Sequence, residues 1–223
     1  MKILIACEES QTVCKAFRAK GHEAYSCDIL PESGGHPEWH IQGDALEQLD
    51  NGWDMLIAHP PCTYLSNAGA RFLWGGGKLN QGRYELGMKG KEFFMKFWNA
   101  PIPLICVENP VSSKIFEMPQ WSQEIQPYQF GHPYTKKTRL WLKGLPLLQP
   151  TSNIENPTAY ISSNTGGKKR GQKYQVVDTL YESTKIAGNW FNKGGKDRQK
   201  ARSKTFPGIA EAMAEQWGYQ SNY

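Results

Sequence analysis

The fold is decided by residues 1–28, MKILIACEESQTVCKAFRAKGHEAYSCD. An apolar run at residues 2–7 is followed by a polar stretch and then by apolar residues at helical spacing between Val13 and Phe17. Gly21 ends the predicted helix, and a second apolar run closes on Asp28. A strand, a helix and a strand in this order predict a βαβ unit, which belongs to a parallel sheet covered by helices.

Strands and helices continue to alternate along the chain. The apolar runs WDMLIAH (53–59) and PLICVENP (103–110) predict two more strands, with an amphipathic helix between them at KGKEFFMKFWNA (89–100). A further strand is predicted at TRLWLKGL (138–145) and a final helix at GIAEAMAEQW (208–217). The sequence therefore predicts an α/β fold with an open, Rossmann-like sheet.

Three connecting segments have their own character. Residues 31–43 are rich in Pro, Gly and His and are predicted to be a loop. Residues 45–49 are predicted to form a short helix. The glycines at 75–77 are typical of a mobile loop.

Composition limits the class of protein. The 223 residues are 39% apolar and 21% charged, which is typical of one globular domain or a domain with a small lobe. The apolar runs are far shorter than the ~20 residues of a membrane-spanning helix. Five cysteines without a CxxC pair argue against a disulfide framework and a four-cysteine zinc site, and favour a reducing cytoplasm. We expect no metal, and a monomer or a homodimer.

The net charge of +5 is unevenly distributed, because residues 168–204 hold eleven Lys or Arg and three acids. This excess predicts a segment that binds a polyanion, with a solvated lysine-rich loop as the alternative. Its first cations are Lys168, Lys169 and Arg170. The composition also changes after Pro150. The predicted parts are a main domain at 1–150, a basic insert at 151–202 and a returning helical segment at 203–223.

Polar residues follow the predicted strands, at the edge where open α/β sheets bind ligands. They include Glu8, Glu9, Ser10, Asp28, Asp44, His59 and Glu108. In nucleotide-binding sheets an acid in the place of Asp28 accepts hydrogen bonds from a ribose diol, although Asp28 would also suit a turn. Asp44 could contact an adenine amino group or could cap the helix that starts at Ala45.

Cys62 differs from the other cysteines in its setting, HPPCTYLS (59–66). Pro60 and Pro61 hold the backbone extended and remove two amide donors. The other four cysteines fit the description of small apolar fillers. Because nucleophilic attack requires an exposed and oriented thiolate, Cys62 is the predicted nucleophile. Its thiol and the carboxylate of Glu108 are expected at one edge of the sheet.

Pro61-Cys62, Glu108-Asn109 and Thr138-Arg139, in this order and in these strand contexts, resemble the DNA cytosine-5 methyltransferases, in particular short, phage-encoded members. The resemblance covers most of residues 1–150 and 201–217. It implies a nucleophile at Cys62, an acid at Glu108, and cytosine-binding cations at Arg139 and Lys137. The implied substrate contacts are Pro61, Asn109, Thr138, Lys168, Lys169 and Arg170. The basic insert corresponds to the target-recognition region, and DNA is the implied partner.

S-adenosylmethionine is the methyl donor that the resemblance implies. The residues placed around it are Ala6, Glu8, Glu9, Ser10, Asp28, Asp44, Pro60 and Lys204. The family has Phe-x-Gly-x-Gly in its first loop, whereas this chain has no glycine from Ile5 to Ser10. Glu8 or Glu9 could instead pair with the ammonium group of the donor. Thr63 also replaces the glutamine that often follows Pro-Cys in the family.

The closing stretch RSKTFPGIAEAMA (202–214) resembles the motif that completes the donor site, but Ser203-Lys204 replaces Gly-Asn. A lysine near the transferred group would suit a donor with an extra carboxylate. Carboxy-S-adenosylmethionine, and hence carboxymethyl transfer, is therefore an alternative. Otherwise Lys204 faces a phosphate.

Two other functions remain open. The short insert would also fit the same chemistry on a free cytidine or deoxycytidine nucleotide. A non-catalytic DNA-binding protein on a methyltransferase fold is the alternative from another class. A dehydrogenase-like nucleotide fold is disfavoured because a Gly-x-Gly-x-x-Gly loop is missing.

Overall fold

The computed structural model describes residues 1–132, 134–155, 158–159 and 204–219. Its strands are β1 (Lys2–Ala6), β2 (Glu23–Asp28), β3 (His40–Gln42), β4 (Met55–Ala58), β5 (Trp74–Gly75), β6 (Lys78–Leu79), β7 (Leu104–Pro110), β8 (Gln123–Ile125), β9 (Tyr134–Thr135), β10 (Thr138–Lys143) and β11 (Thr158–Ala159). Its α-helices are α1 (Thr12–Ala19), α2 (Gln81–Trp98) and α3 (Pro207–Trp217). Of the helices in these ranges, none combines the length and the apolarity that a membrane span requires. Most of the predicted basic insert, with Lys168, Lys169 and Arg170, lies outside the described residues.

Seven of the described strands form one sheet in the order β3-β2-β1-β4-β7-β10-β8. The strands from β3 to β7 are parallel, and β10 lies antiparallel between β7 and β8. The parallel part has the strand order of a doubly wound sheet, which reverses between β1 and β4. The predicted α/β, Rossmann-like fold is confirmed, and the carboxyl ends of the five parallel strands form one edge.

Both faces of the sheet are covered by helices. Successive side chains of a strand point to opposite faces, so each strand contributes to both cores. Ile3 and Ile5 of β1 pack with α1 and α3, whereas Leu4 and Ala6 pack with α2. All four residues of β4 are fully buried, as expected for a central parallel strand. The strand ends therefore rest on a rigid, fully packed sheet.

Three differences from the predicted elements concern β3, α2 and the glycine-rich segment. β3 lies inside the predicted loop 31–43. α2 begins well before residue 89, because the side chain of Asn80 caps it by accepting a 3.1 Å hydrogen bond from the N–H of Arg83. The glycine-rich segment forms the turn of the β5–β6 hairpin, with φ of 56° at Gly76 and 77° at Gly77.

A separate small core supports the segment that follows Cys62. Leu65, Leu73 and Phe116 are buried together beside α2. Gly87 of α2 permits this packing, since a Cβ there would lie 2.2 Å from two ring atoms of Phe116. The segment after Cys62 is therefore anchored by this satellite core, which is distinct from the two cores on the sheet.

Candidate active site

Ionisable side chains are concentrated at the carboxyl edge of the sheet. Glu8 and Glu9 follow β1, His59 follows β4, Glu108 lies near the end of β7, and Lys204 precedes α3. Glu8 and Glu9 are buried, and the other three side chains are 8–19% exposed. Charged groups are seldom buried in this way outside paired or functional sites. This edge is the candidate active site.

His59 and Glu108 form a buried pair at its centre. Nδ1 of His59 lies 3.0 Å from Oε2 of Glu108. Burial lowers the pKa of His59, but the hydrogen bond to Glu108 and the charges of Glu108 and Glu8 outweigh it, so the pKa is raised overall. Burial raises the pKa of Glu108, but the hydrogen bond and charge of His59, with the charge of Lys136, lower it overall. The raised pKa of His59 and the lowered pKa of Glu108 both favour an imidazolium hydrogen-bonded to a carboxylate.

The turn between β1 and α1 takes its shape without glycine. Cys7 and Gln11 have left-handed backbones, with φ of 59° and 57°, at a cost of about 1–3 kcal/mol each. Glu8 closes the turn by accepting hydrogen bonds from the N–H groups of Val13 (2.7 Å) and Cys14 (3.2 Å). Burial nevertheless raises the pKa of Glu8. Since Glu8 caps α1, Glu9 is the acid of this turn that is better placed to meet a ligand.

Glu9 joins two segments that are distant in sequence. Its side chain accepts a hydrogen bond from the hydroxyl of Ser33, and its carbonyl accepts one from the N–H of Ser33 (2.8 Å). Nζ of Lys204 lies 4.0 Å from Oε1 of Glu9 and donates to Oγ of Ser33 at 3.2 Å. Lys204 therefore holds the C-terminal segment against the β1–α1 turn, with its charge facing Glu9.

Asp28 and Asp44 both lie close enough to Cys7 for their charges to act on its thiol. Each accepts a 2.9 Å hydrogen bond from the backbone N–H two residues on. For Asp44 this bond caps the 3-10 helix Ala45–Gln48. Of the two roles predicted for Asp44, adenine contact and helix capping, the structure contains the second. Asp28 is half-buried, and burial raises its pKa. Beside it the side chain of Ile29 is 74% exposed and presents an apolar surface next to a carboxylate.

Cys62 lies in a turn that is hydrogen-bonded to the segment after β7. Its carbonyl accepts from the N–H groups of Leu65 (3.1 Å) and Ser66 (2.9 Å). The carbonyl of Leu65 in turn accepts from the N–H of Ser113 (2.8 Å). The side chain of Cys62 is half-buried. These bonds bring the Cys62 turn alongside the segment that continues from Glu108.

The other predicted residues of β1 and β4 lie at the same edge. Ala6 ends β1, and its carbonyl accepts the N–H of His59 at 3.0 Å. Ser10 is buried just before α1. Pro60 is buried and Pro61 is exposed on the way to the Cys62 turn.

The two faces of β10 carry different chemistry. In its register with β7, Leu140 pairs with Glu108 and Arg139 pairs with Asn109. Directly paired residues share a face, so Arg139 and Asn109 point away from the Glu108 face. The guanidinium of Arg139 stacks on Trp121, with its carbon 3.5 Å from the ring centroid. The amide of Asn109 is fully buried, and neither of its polar atoms has a hydrogen-bond partner among the described residues.

The expectation that Arg139 and Lys137 accompany Glu108 therefore needs correction. Nζ of Lys137 forms a 2.8 Å ion pair with Glu124, on the side of Arg139. The cation beside Glu108 is Lys136, and the buried Thr138 shares its side. The period of two along a strand separates these pairs, and the sequence alone did not reveal which pair faces the site.

A small cavity lies between the His59–Glu108 pair and the segment before α3. Its lining includes His59, Glu108, Lys136, Thr138, Lys204 and Phe206. Its volume of about 20 Å³ holds one water molecule but not a pyrimidine ring. Cys62 is not among the described residues that line it, so the thiol and the carboxylate share one edge of the sheet without sharing this cavity.

The sequence pattern assigned no catalytic or binding role to two residues of the site, His59 and Lys136. His59 is the last residue of the predicted strand 53–59, and that position at the strand end was the available signal for it. Lys136 precedes β10, and nothing in its local sequence distinguishes it from Lys137.

Comparison with known proteins gives a distant likeness. No protein-family model matches the chain, and no curated protein matches it. A solved structure from an Escherichia coli prophage, described as a DNA modification methyltransferase, is similar with a TM-score of 0.40 and 14% sequence identity. The likeness covers 72% of this chain and 53% of that one, so this chain spans about half the length of that protein.

Proposed function

We propose that this protein transfers a methyl group from S-adenosylmethionine to carbon 5 of cytosine in DNA, through a covalent adduct at Cys62. The observation that carries the proposal is the meeting of two segments at one sheet edge. The Cys62 turn is hydrogen-bonded to the segment after Glu108, and Glu108 lies largely buried there beside a histidine and a lysine. A thiol and an acid from distant parts of the chain are the pair that this chemistry requires.

The residues near β1 and β2 fit the donor. Asp28 ends the second strand of the sheet, where a carboxylate can bind a ribose, and the exposed Ile29 offers a surface for a purine. Left-handed residues at Cys7 and Gln11 give the β1–α1 turn the backbone path that glycines would otherwise supply. Glu9 and Lys204 offer opposite charges for the two ends of an amino acid. When bound, S-adenosylmethionine supplies an electrophilic methyl group.

The residues of the chain make the cytosine reactive. The thiolate of Cys62 adds to carbon 6, and the ring electrons shift toward carbon 5 and ring nitrogen 3. Glu108 provides a proton to nitrogen 3 and so stabilises the electron-rich ring. After carbon 5 has been alkylated, a base removes its hydrogen as a proton, the double bond re-forms, and Cys62 leaves as a thiolate. Nitrogen 3 then returns its proton.

A polymer substrate is supported by the surface next to Cys62. Between Asp54 and Glu85 the sequence has no acidic residue, and its cations are Arg71, Lys78 and Arg83. The guanidinium of Arg83 lies 5.1 Å from the ring centroids of two aromatic residues. The exposed aromatic residues here are Tyr64, Phe72 and Trp74. Cations interleaved with exposed rings suit a nucleic-acid strand whose bases are unstacked.

A base within a duplex cannot reach such a site, so the target cytosine would be flipped out of the helix. Flipping costs a few kcal/mol, which contacts to the flanking strand would offset. Because the cavity beside Glu108 is too small for a pyrimidine, entry of the base must widen it. The segment before α3 supplies Lys204, Thr205 and Phe206 to the lining of this cavity.

The experiment is to incubate the purified protein with duplex DNA and S-adenosylmethionine and to weigh the nucleosides. We expect 5-methylcytosine from the wild type and none from Cys62→Ala, with Cys14→Ala as the matched control at a buried cysteine. Unmodified DNA from the wild type, or product from Cys62→Ala, would contradict the proposal. Parallel reactions with free deoxycytidine monophosphate and with carboxy-S-adenosylmethionine test the nucleotide substrate and carboxymethyl transfer.

A further inference from the structure

We propose that His59 is the positioning residue that supplies the proton which Glu108 delivers to nitrogen 3 of the cytosine. This role rests on the proposed function. It makes the buried His59–Glu108 pair, rather than Glu108 alone, the acid of the reaction.

The geometry of the pair supports a proton path. Nδ1 of His59 is 3.0 Å from Oε2 of Glu108, a hydrogen-bond distance, and both side chains are largely buried. The other ring nitrogen of His59, Nε2, is buried without a hydrogen-bond partner among the described residues. The pair lines the small cavity, so a proton passed to Glu108 arrives next to the space that a base would enter.

The need for a proton source follows from the state of Glu108. An ordinary glutamic acid is protonated in only about one molecule in 500 at neutral pH. The pKa of Glu108 is lower still, because the hydrogen bond and charge of His59 and the charge of Lys136 outweigh the effect of burial. Glu108 alone would therefore be a poor acid, whereas His59 in its imidazolium form holds a proton within hydrogen-bond reach.

The charges around His59 come from several elements. Glu8, on the β1–α1 turn, raises the pKa of His59 together with Glu108, and Lys136, before β10, lowers it. Lys204, before α3, lines the same cavity but has Glu9 at 4.0 Å from its ammonium. The charges of the acids and the hydrogen bond to Glu108 outweigh burial and Lys136, so the net pKa shift of His59 is upward.

The proton balance of the reaction closes within the pair. When Cys62 adds to carbon 6, the proton on Nδ1 of His59 passes to the carboxylate of Glu108 and from Glu108 to nitrogen 3. His59 is then neutral, Glu108 is again a carboxylate, and the adduct is neutral because the charge of the thiolate and that of the proton cancel. When Cys62 leaves, nitrogen 3 gives its proton back to Glu108 and the imidazolium re-forms. The pair thus ends each turnover in its starting state.

The test compares wild type with His59→Asn across pH. The amide nitrogen of asparagine can take the place of Nδ1 as a donor to Glu108, but it does not titrate in this range. Single-turnover methyl transfer is measured from about pH 5.5 to about pH 8.5, a range that spans the ordinary histidine pKa. The quantity of interest is the ratio of the wild-type rate to the variant rate, in which the ionisation of Cys62 cancels.

If His59 is the proton source, the variant depends on the rare protonated form of Glu108, which declines about tenfold per pH unit. The rate ratio should then rise with pH, reach about 100-fold near neutrality, and level off above the His59 pKa. His22→Asn, at the opposite edge of the sheet, should give a ratio that is constant with pH. A constant ratio for His59→Asn in an active, folded variant would overturn the role.

A second measurement applies even if His59→Asn fails to fold. The imidazole of His59 is titrated by NMR in the wild type and in Glu108→Gln. We expect a midpoint above the ordinary value of 6.5 in the wild type and a lower midpoint in Glu108→Gln. A wild-type midpoint at or below 6.5 would overturn the role. Absence of 5-methylcytosine from the wild type overturns the proposed function and this role together, whereas a constant ratio with an active wild type overturns this role alone.

Discussion

Replacing Gly87 of α2 by alanine should loosen the segment that presents Cys62. The added Cβ would lie 2.2 Å from Cε1 and Cζ of Phe116, a distance that real Cβ contacts do not reach. Phe116 is 1% exposed and packs with Leu65, three residues after Cys62, so the ring must move within a closed core. Overpacking of this kind costs about 1–3 kcal/mol. Alanine in a helix interior recovers about 0.5–1 kcal/mol, which leaves a net loss of about 1–2 kcal/mol.

Gly90→Ala is the matched control in the same helix. A Cβ at Gly90 would meet the side chain of Leu65 at 3.4 Å or more, which is ordinary contact. The helix-propensity gain should then prevail, with stabilisation of about 0.5–1 kcal/mol. At about 2–4 °C per kcal/mol for a chain of this size, Gly87→Ala should lower Tm by about 2–8 °C and Gly90→Ala should raise it by about 1–4 °C.

The assay is thermal and urea unfolding of both variants, followed by methyl transfer well below Tm. Gly87→Ala should also reduce the rate at temperatures where the variant is fully folded, because the satellite core orients the Cys62 turn. Equal stability of Gly87→Ala and Gly90→Ala, or wild-type activity of Gly87→Ala at low temperature, would contradict this role of Gly87.

Three further predictions concern binding and pH. Arg83→Ala should weaken DNA binding and reduce the slope of log affinity against log salt by about 1, while Lys20→Ala at the amino edge of the sheet should leave that slope unchanged, as measured by fluorescence anisotropy. Asp28→Asn should weaken binding of S-adenosylhomocysteine about tenfold in calorimetry with little change in Tm, and equal affinity would remove Asp28 from the donor site. The Glu108 carboxyl, with its lowered pKa, stabilises the fold above the ordinary value of 4.5, and this contribution is lost as pH falls through the folded-state pKa. His59, with its raised pKa, stabilises the fold below 6.5, and this contribution is lost as pH rises through the folded-state pKa, so urea unfolding should show the largest stability difference between wild type and His59→Asn between 4.5 and 6.5.

The sequence predicted the strands that are buried on both faces and the helix that buries one apolar face. β1, β4 and β7 are apolar runs flanked by polar residues, and α1 shows a helical period that ends at Gly21. β3 and β8 have three residues each, too few for any period to appear. The start of α2 depends on a cap at Asn80 rather than on an apolar pattern. Short strands and caps are therefore the features that the apolar pattern missed.

The sequence predicted that the site lies at the carboxyl edge of the sheet, but it did not predict the role of each residue there. Placing functional residues after the strands brought Glu9, Asp28, Cys62 and Glu108 to one end of the sheet. The role of Glu8 was not predictable, because its capping of α1 depends on how the left-handed turn folds back.

The sequence pattern also did not predict which side chains of the site contact one another. The pairing of His59 with Glu108 depends on the tertiary adjacency of β4 and β7. The choice between Lys136 and Lys137 depends on which face of β10 turns toward that pair.

The central claim, a covalent bond between Cys62 and carbon 6 of the cytosine, is tested most directly by trapping. Duplex DNA containing 5-fluorodeoxycytidine is incubated with the wild-type protein and S-adenosylmethionine, because fluorine at carbon 5 cannot leave as a cation and the adduct cannot resolve. We expect a denaturation-resistant complex whose peptide map shows the nucleotide on Cys62, and no such complex with Cys62→Ala. Modified cytosine formed without any trapped adduct, or an adduct on another residue, would contradict the account.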